Sequence, residues 1–128
     1  PLQFQIPHSV AVDGDDRIYV ADRENHRVQV LSSEGEFISS WADVDRPITV
    51  RFAAGHLFVL SNLEADKAIV RRLDTSGKVL DSFHTKPPGD PGDFEWPHGL
   101  AVSTDGEDVY VGFTLTGRRV QRYRRAAS

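Results

Sequence analysis

Phe4-Gln5-Ile6-Pro7-His8-Ser9-Val10-Ala11-Val12 returns ninety residues later as Phe94-Glu95-Trp96-Pro97-His98-Gly99-Leu100-Ala101-Val102. The likeness runs on. Arg17-Ile18-Tyr19-Val20-Ala21 returns as Asp108-Val109-Tyr110-Val111-Gly112, and Arg27-Val28-Gln29-Val30 as Arg119-Val120-Gln121-Arg122. A more diverged copy lies between them: Pro47-Ile48-Thr49-Val50, Leu57-Phe58-Val59-Leu60, Ala68-Ile69-Val70-Arg71 and Val79-Leu80-Asp81-Ser82-Phe83. The unit is therefore roughly 40–50 residues with four short segments, the period of a propeller blade.

Each segment is rich in Val, Ile, Tyr or Phe and bounded by turn residues, which predicts strands. Glycine stands where a tight turn needs positive φ, in Asp13-Gly14, Glu34-Gly35, Ala54-Gly55, Ser76-Gly77 and Asp105-Gly106. The first segments are nearly continuous apolar, as for an innermost strand buried on both faces. The fourth, such as Glu36-Phe37-Ile38-Ser39-Ser40-Trp41, are more polar and suit an outer rim. No stretch holds a 3.6-residue period. The pattern predicts one all-β propeller segment over residues 1–128, with three blades at about 4–41, 47–84 and 94–125. Tyr19 and Tyr110 fall mid-strand and read as core residues.

Three blades make half of a six-bladed ring, and the third copy stops after its third strand at Arg122-Tyr123-Arg124-Arg125. Closed propellers need about four to eight blades. Either further blades or a second copy of the chain must complete the ring, so a homo-oligomer, a dimer, is expected. Leu2, Phe4 and Ile6 alternate with Gln3 and Gln5. Pro1–Ile6 either lends an outer strand to a neighbour, or Phe4 anchors the approach to Pro7 as Phe94 does before Pro97.

Composition narrows the function classes. The chain is 39% apolar with ten glycines, which excludes a disordered or fibrous protein. No run nears the ~18 apolar residues of a membrane span, so no membrane partner is expected. There is no cysteine, hence no disulfide and no thiolate metal site. There is no methionine either, so a processed product, an excised piece or a truncated reading frame is expected. No export leader is read at its start, and localisation stays open. The net charge of −4 argues against nucleic acid. Arg118, Arg119, Arg122, Arg124 and Arg125 read instead as charges guarding an exposed edge strand. Asp13-Gly14-Asp15-Asp16 lacks the ligand alternation of a calcium loop and reads as a hairpin turn.

Two stations carry chemistry. A proline closes the incoming connection, and the next residue opens the innermost strand at one mouth of the central channel. His8 and His98 thus meet in space with one blade between them, where Ile48 holds the matching place. Two imidazoles there serve either as zinc ligands or as hydrogen-bonding groups across strand ends, and a catalytic zinc wants a third ligand. The second station is Ala21-Asp22-Arg23-Glu24-Asn25-His26-Arg27, on a hairpin that opens at the same mouth. Arg23 either points over the channel to take a carboxylate bidentately, or sits in a solvated loop whose Asp22, Glu24 and Arg27 pair locally.

The repeats resemble NHL repeats. Pro7-His8-Ser9-Val10-Ala11-Val12, Ile18-Tyr19-Val20-Ala21-Asp22-Arg23-Glu24-Asn25, Gly55-His56-Leu57-Phe58-Val59, Gly77-Lys78-Val79-Leu80-Asp81-Ser82-Phe83 and Trp96-Pro97-His98 together resemble the peptidyl-α-hydroxyglycine α-amidating lyases. Those enzymes resolve a carbinolamide into a peptide amide and glyoxylate. The resemblance implies a six-bladed propeller with zinc on three histidines, two of them matched by His8 and His98 and the third falling upstream. It implies Arg23 as the active-site arginine at the substrate's carboxylate end, and a peptide substrate. Zinc would act as Lewis acid while an arginine steadies the developing glyoxylate. The family's tyrosine base and second arginine have no match here. Gly99 stands where the family places a calcium-binding aspartate, which argues against calcium there. The family's cysteines are also missing, as in a bacterial or otherwise disulfide-free relative. The competing reading is a non-catalytic NHL module that binds a protein or peptide on its loop face.

Overall fold

The computed structural model describes residues 1–64, 67–85, 95–115 and 119–125, with the backbone alone at 63, 64, 67, 95 and 115. Phe94 and Arg118, both used in the sequence reading, lie outside the described residues. Among the described residues, eleven strands form three antiparallel sheets. The first holds β1 (Pro7–Val12), β2 (Ile18–Asp22), β3 (Arg27–Leu31) and β4 (Phe37–Trp41). The second holds β5 (Arg46–Ala53), β6 (His56–Glu64), β7 (Lys67–Leu73) and β8 (Val79–His84). The third holds β9 (Glu95–Val102), β10 (Asp108–Leu115) and β11 (Val120–Arg124). Each sheet is a meander in chain order. The only helical element among the described residues is a 3-10 turn at Arg23–Asn25.

The middle sheet shows why the segments read as continuous apolar runs. Successive strand residues face opposite ways. Leu57 and Val59 of β6 therefore join Tyr19, Val28, Val30 and Trp41 in one core, while Phe58 and Leu60 join Leu100, Val109 and Val111 in the other. A sheet covered on both faces needs apolar residues at every position. In β5 the run Pro47-Ile48-Thr49-Val50 is buried throughout.

The outer sheets depart from the expectation for innermost strands. Val10 and Val12 of β1 are 57% and 50% exposed, because no sheet among the described residues covers that side of sheet one. Tyr110 likewise lies exposed rather than in the core, while Tyr19 is fully buried with its hydroxyl 2.6 Å from Asp13. That Asp13 carboxylate also accepts from the Asp15 and Arg17 amides, so the acidic cluster is a hairpin turn. In this turn Asp16, not Gly14, takes the positive φ.

Pro1–Ile6 forms no strand and is held on its own sheet. The Gln5 amide donates to Asp22, the Ile6 and Gln5 carbonyls accept from the Arg23 and Glu24 amides, and Arg27 donates to the Gln3 carbonyl. These hydrogen bonds anchor the approach to Pro7.

Trp41, at the end of β4, packs against the β7–β8 turn of the next sheet. A Cβ on Gly77, whose φ is +95°, would lie 2.5 Å from the Trp41 indole nitrogen. Gly77→Ala is expected to cost about 1–3 kcal/mol in urea unfolding, from strain at positive φ and from overpacking. An unchanged midpoint would mean that the Trp41 contact is loose.

Candidate functional site

All three inner strands carry the same irregularity. Pro7 pairs with Asp22 and Ser9 with Ala21, leaving His8 as the extra residue. Pro47 pairs with Ser61 and Thr49 with Leu60, leaving Ile48. Pro97 pairs with Phe113 and Gly99 with Gly112, leaving His98. Proline has no N–H for the ladder, and a bulge re-aims the side chain of the additional residue. The three bulges put His8, Ile48 and His98 at corresponding places on adjacent sheets.

Hydrogen bonds between sheets lock that alignment. Thr49 Oγ1 donates to the His98 carbonyl at 2.8 Å, and the Val50 amide donates to Ser9 Oγ at 3.1 Å. His8 Nδ1 lies 2.7 Å from the Ile48 carbonyl oxygen. A carbonyl only accepts, so Nδ1 carries the hydrogen and Nε2 of the neutral ring keeps its lone pair. The two imidazoles, ninety residues apart in the chain, meet edge to face with their centroids 5.2 Å apart.

This donor set suits half of a zinc site. Neutral imidazole is a preferred zinc ligand, and an Nδ1–H held by a backbone carbonyl is a common outer support for a ligating histidine. Among the described residues no group of three or more His, Cys, Asp or Glu side chains comes together. Any further ligand must therefore come from elsewhere.

A cavity of about 270 Å³ opens beside His98, with Arg23, Arg46, Asn62 and Trp96 on its wall. Arg23 is carried there by the 3-10 turn after β2, the hairpin opposite the start of β1. A larger cavity of about 730 Å³ lies between the outer parts of sheets two and three, lined by Phe58, Phe83, Tyr123 and several charged groups. It holds neither His8 nor His98, whereas the smaller one holds His98, so the chemistry favours the smaller one.

Local pairing is real in the Asp22–Arg27 loop, but the loop is not simply solvated. Asp22 is fully buried and accepts from Asn25, Arg27 and Gln29 side chains as well as the Gln5 amide. Burial alone would raise its pKa; these hydrogen bonds outweigh burial and bring the carboxyl below its ordinary value. Glu24 Oε1 accepts from Arg23 Nε at 3.0 Å and from Arg46 Nη2 at 2.5 Å. The Arg46 hydrogen bonds, foremost, hold the Glu24 carboxyl below its usual range. Two arginines and one carboxylate leave this wall one positive charge. Arg46 escaped the sequence reading, although a signal existed: it precedes Pro47 where Ile6 and Trp96 precede the other two prolines.

Antiparallel sheets joined through neighbouring inner strands define a propeller-type β fold. Residues 4–31 match the family model of the NHL repeat, so the chain carries an NHL repeat on that fold. It is 31% identical over 128 residues to NHL repeat-containing protein 3 of Mus musculus, covering 96% of this chain and 36% of that protein. It is 32% identical over 142 residues to peptidylglycine alpha-amidating monooxygenase of Rattus norvegicus, covering 95% of this chain and 14% of that protein. It is 28% identical over 127 residues to peptidyl-alpha-hydroxyglycine alpha-amidating lyase 2 of Drosophila melanogaster, covering 94% and 31%. The chain thus spans about a third or less of each relative. The crystal structure of virginiamycin B lyase from Staphylococcus aureus superposes with a TM-score of 0.53 at 14% identity, over 94% of this chain and 42% of that one, a likeness of fold alone. No helix among the described residues is long and apolar enough to cross a membrane.

Proposed function

We propose that this chain supplies part of a peptidyl-α-hydroxyglycine lyase site, in which a C-terminal α-hydroxyglycine is split into peptide amide and glyoxylate. The observation that carries this reading is the meeting of His8 and His98 at 5.2 Å beside a cavity walled by Arg23. Similarity to amidating enzymes over most of the chain supports it.

The reaction is redox-neutral. The carbinol hydroxyl gives up its proton and becomes the aldehyde oxygen, the C–N bond breaks, and the amide nitrogen takes a proton. His8 and His98 would hold zinc through ring nitrogens, and zinc when bound supplies Lewis acidity toward substrate oxygen. Arg23 spends Nε on Glu24, and its terminal nitrogens make no other hydrogen bond or ion pair among the described residues. That planar fork matches a carboxylate. The third zinc ligand and the proton-transfer group have no counterpart among the described residues. A second copy of the chain or additional blades would bring them.

The test is glyoxylate release from an N-acyl-α-hydroxyglycine with zinc present, together with the solution mass. Zinc-dependent glyoxylate in an oligomeric species is the expected result. Protein that takes up no zinc and releases no glyoxylate would leave the NHL interaction module as the function.

A further inference from the structure

We infer that Arg46, together with Glu24 and Asn62, forms a clamp between sheets that positions Arg23 for a single carboxylate. This rests on the carboxylate reading of Arg23 given above and extends it to residues on two further strands.

The geometry separates the two arginines by role. Arg46 Nε and Nη2 both point at Glu24 Oε1, at 3.1 and 2.5 Å, and Nη1 donates to Asn62 Oδ1 at 3.1 Å. All three of its nitrogens are engaged. Arg23 commits only Nε, to the same Glu24 oxygen. Arg46 is therefore a positioning residue, and Arg23 presents the open fork. The clamp also joins two neighbouring units: Glu24 sits in the 3-10 turn between β2 and β3 of sheet one, whereas Arg46 and Asn62 are opposed residues on β5 and β6 of sheet two. Asn62 is buried and gives Arg46 a fixed rest. The guanidinium of Arg46 reaches from β5 to the 3-10 turn after β2, on the wall of the cavity that also holds His98. A shift between the two sheets would move Arg23 relative to His98.

The charge count sets the ligand. One carboxylate against two guanidiniums leaves a single positive charge, which is matched by one carboxylate and overmatched by a dianion. Trp96 on the same wall suits a ligand with an apolar or planar group near that carboxylate.

The experiment uses the full chain and an unreactive N-acylglycine as probe, titrated calorimetrically, with the N-acylglycinamide as the neutral control. Wild type is expected to bind the acid and not the amide. Arg46→Met should weaken the acid about 10-fold or more, as loss of hydrogen bonds to a charged group does. Arg46→Lys, which keeps the charge without the fork, should fall between. Glu24→Gln decides between positioning and charge. If Arg46 and Glu24 act only by charge, the added positive charge tightens binding; if they position Arg23, binding weakens. Zinc uptake and the urea midpoint should be retained in Arg46→Lys, which separates the effect from unfolding. Tighter binding in Glu24→Gln, or equal binding in Arg46→Met, overturns the clamp. A wild type that binds acid and amide alike overturns the carboxylate reading itself, and the clamp with it.

Discussion

Replacing His98 by alanine should abolish stoichiometric zinc uptake while leaving the fold in place. His98 is exposed at the bulge of β9, and among the described residues its ring meets one aromatic ring, that of His8. Its backbone carbonyl, which Thr49 holds, survives the substitution. Little packing is lost, so the urea midpoint should move by less than about 1 kcal/mol. The metal effect should be far larger. Removing an outer support of a zinc ligand already costs roughly 10–100-fold in affinity, and here the ligand itself goes. A single imidazole with one open side does not hold zinc against water. His8→Ala should be equivalent for the metal but adds a loss of the Ile48 carbonyl contact, so its midpoint should fall further. Equilibrium dialysis with zinc checks both. If His98→Ala takes up zinc as wild type does, the two rings are hydrogen-bonding groups at strand ends, and the lyase reading loses its support.

Much of this was legible in the residues, for identifiable reasons. The Pro-His pairs announced themselves because a repeat places equivalent residues at equivalent points, so His8 and His98 had to share one end of the stack. The all-β assignment followed from short segments rich in Val, Ile, Tyr and Phe, bounded by turn residues, with no 3.6-residue period. Other features were out of reach because they depend on neighbours. Val10-Ala11-Val12 and Ile48-Thr49-Val50 look alike as strings, yet only the second is covered on both sides. Alternation in Leu2, Phe4 and Ile6 suggested a strand, but the backbone of Gln5 and Ile6 is claimed by the 3-10 turn and by buried Asp22. The Glu24–Arg46 pair joins residues 22 apart, one in the 3-10 turn after β2 and one on β5, and no local rule reports such a contact.

Asp22→Ala is the substitution expected to damage the molecule most. The side chain of Asp22 has no exposure, and its two oxygens accept from one backbone amide and three side chains. Removing it strands Arg27 and Gln29 beside a void and frees the Gln5 amide. Breaking one side of a buried ion pair costs about 3–5 kcal/mol, because the remaining charge is left without its partner. The damage should spread to the site, since the same carboxylate fastens the segment that leads into Pro7 and His8 and sits next to Arg23. Asp22→Asn should be milder, as it keeps the shape and one acceptor. Acid should mimic the loss. Asp22 and Asp13 both have folded pKa values below the ordinary 3.8. Their contribution is therefore complete above that value and disappears as pH falls through the lower folded one. Wild type should thus lose stability below about pH 4. Asp22→Ala should lose less over the same range, because one of the responsible carboxylates is already gone. Urea midpoints measured from pH 7 to pH 2 test this. Parallel pH curves for the two proteins would show that the Asp22 carboxylate is not held ionised by its partners, and the role given to it in steadying the approach to His8 would fall.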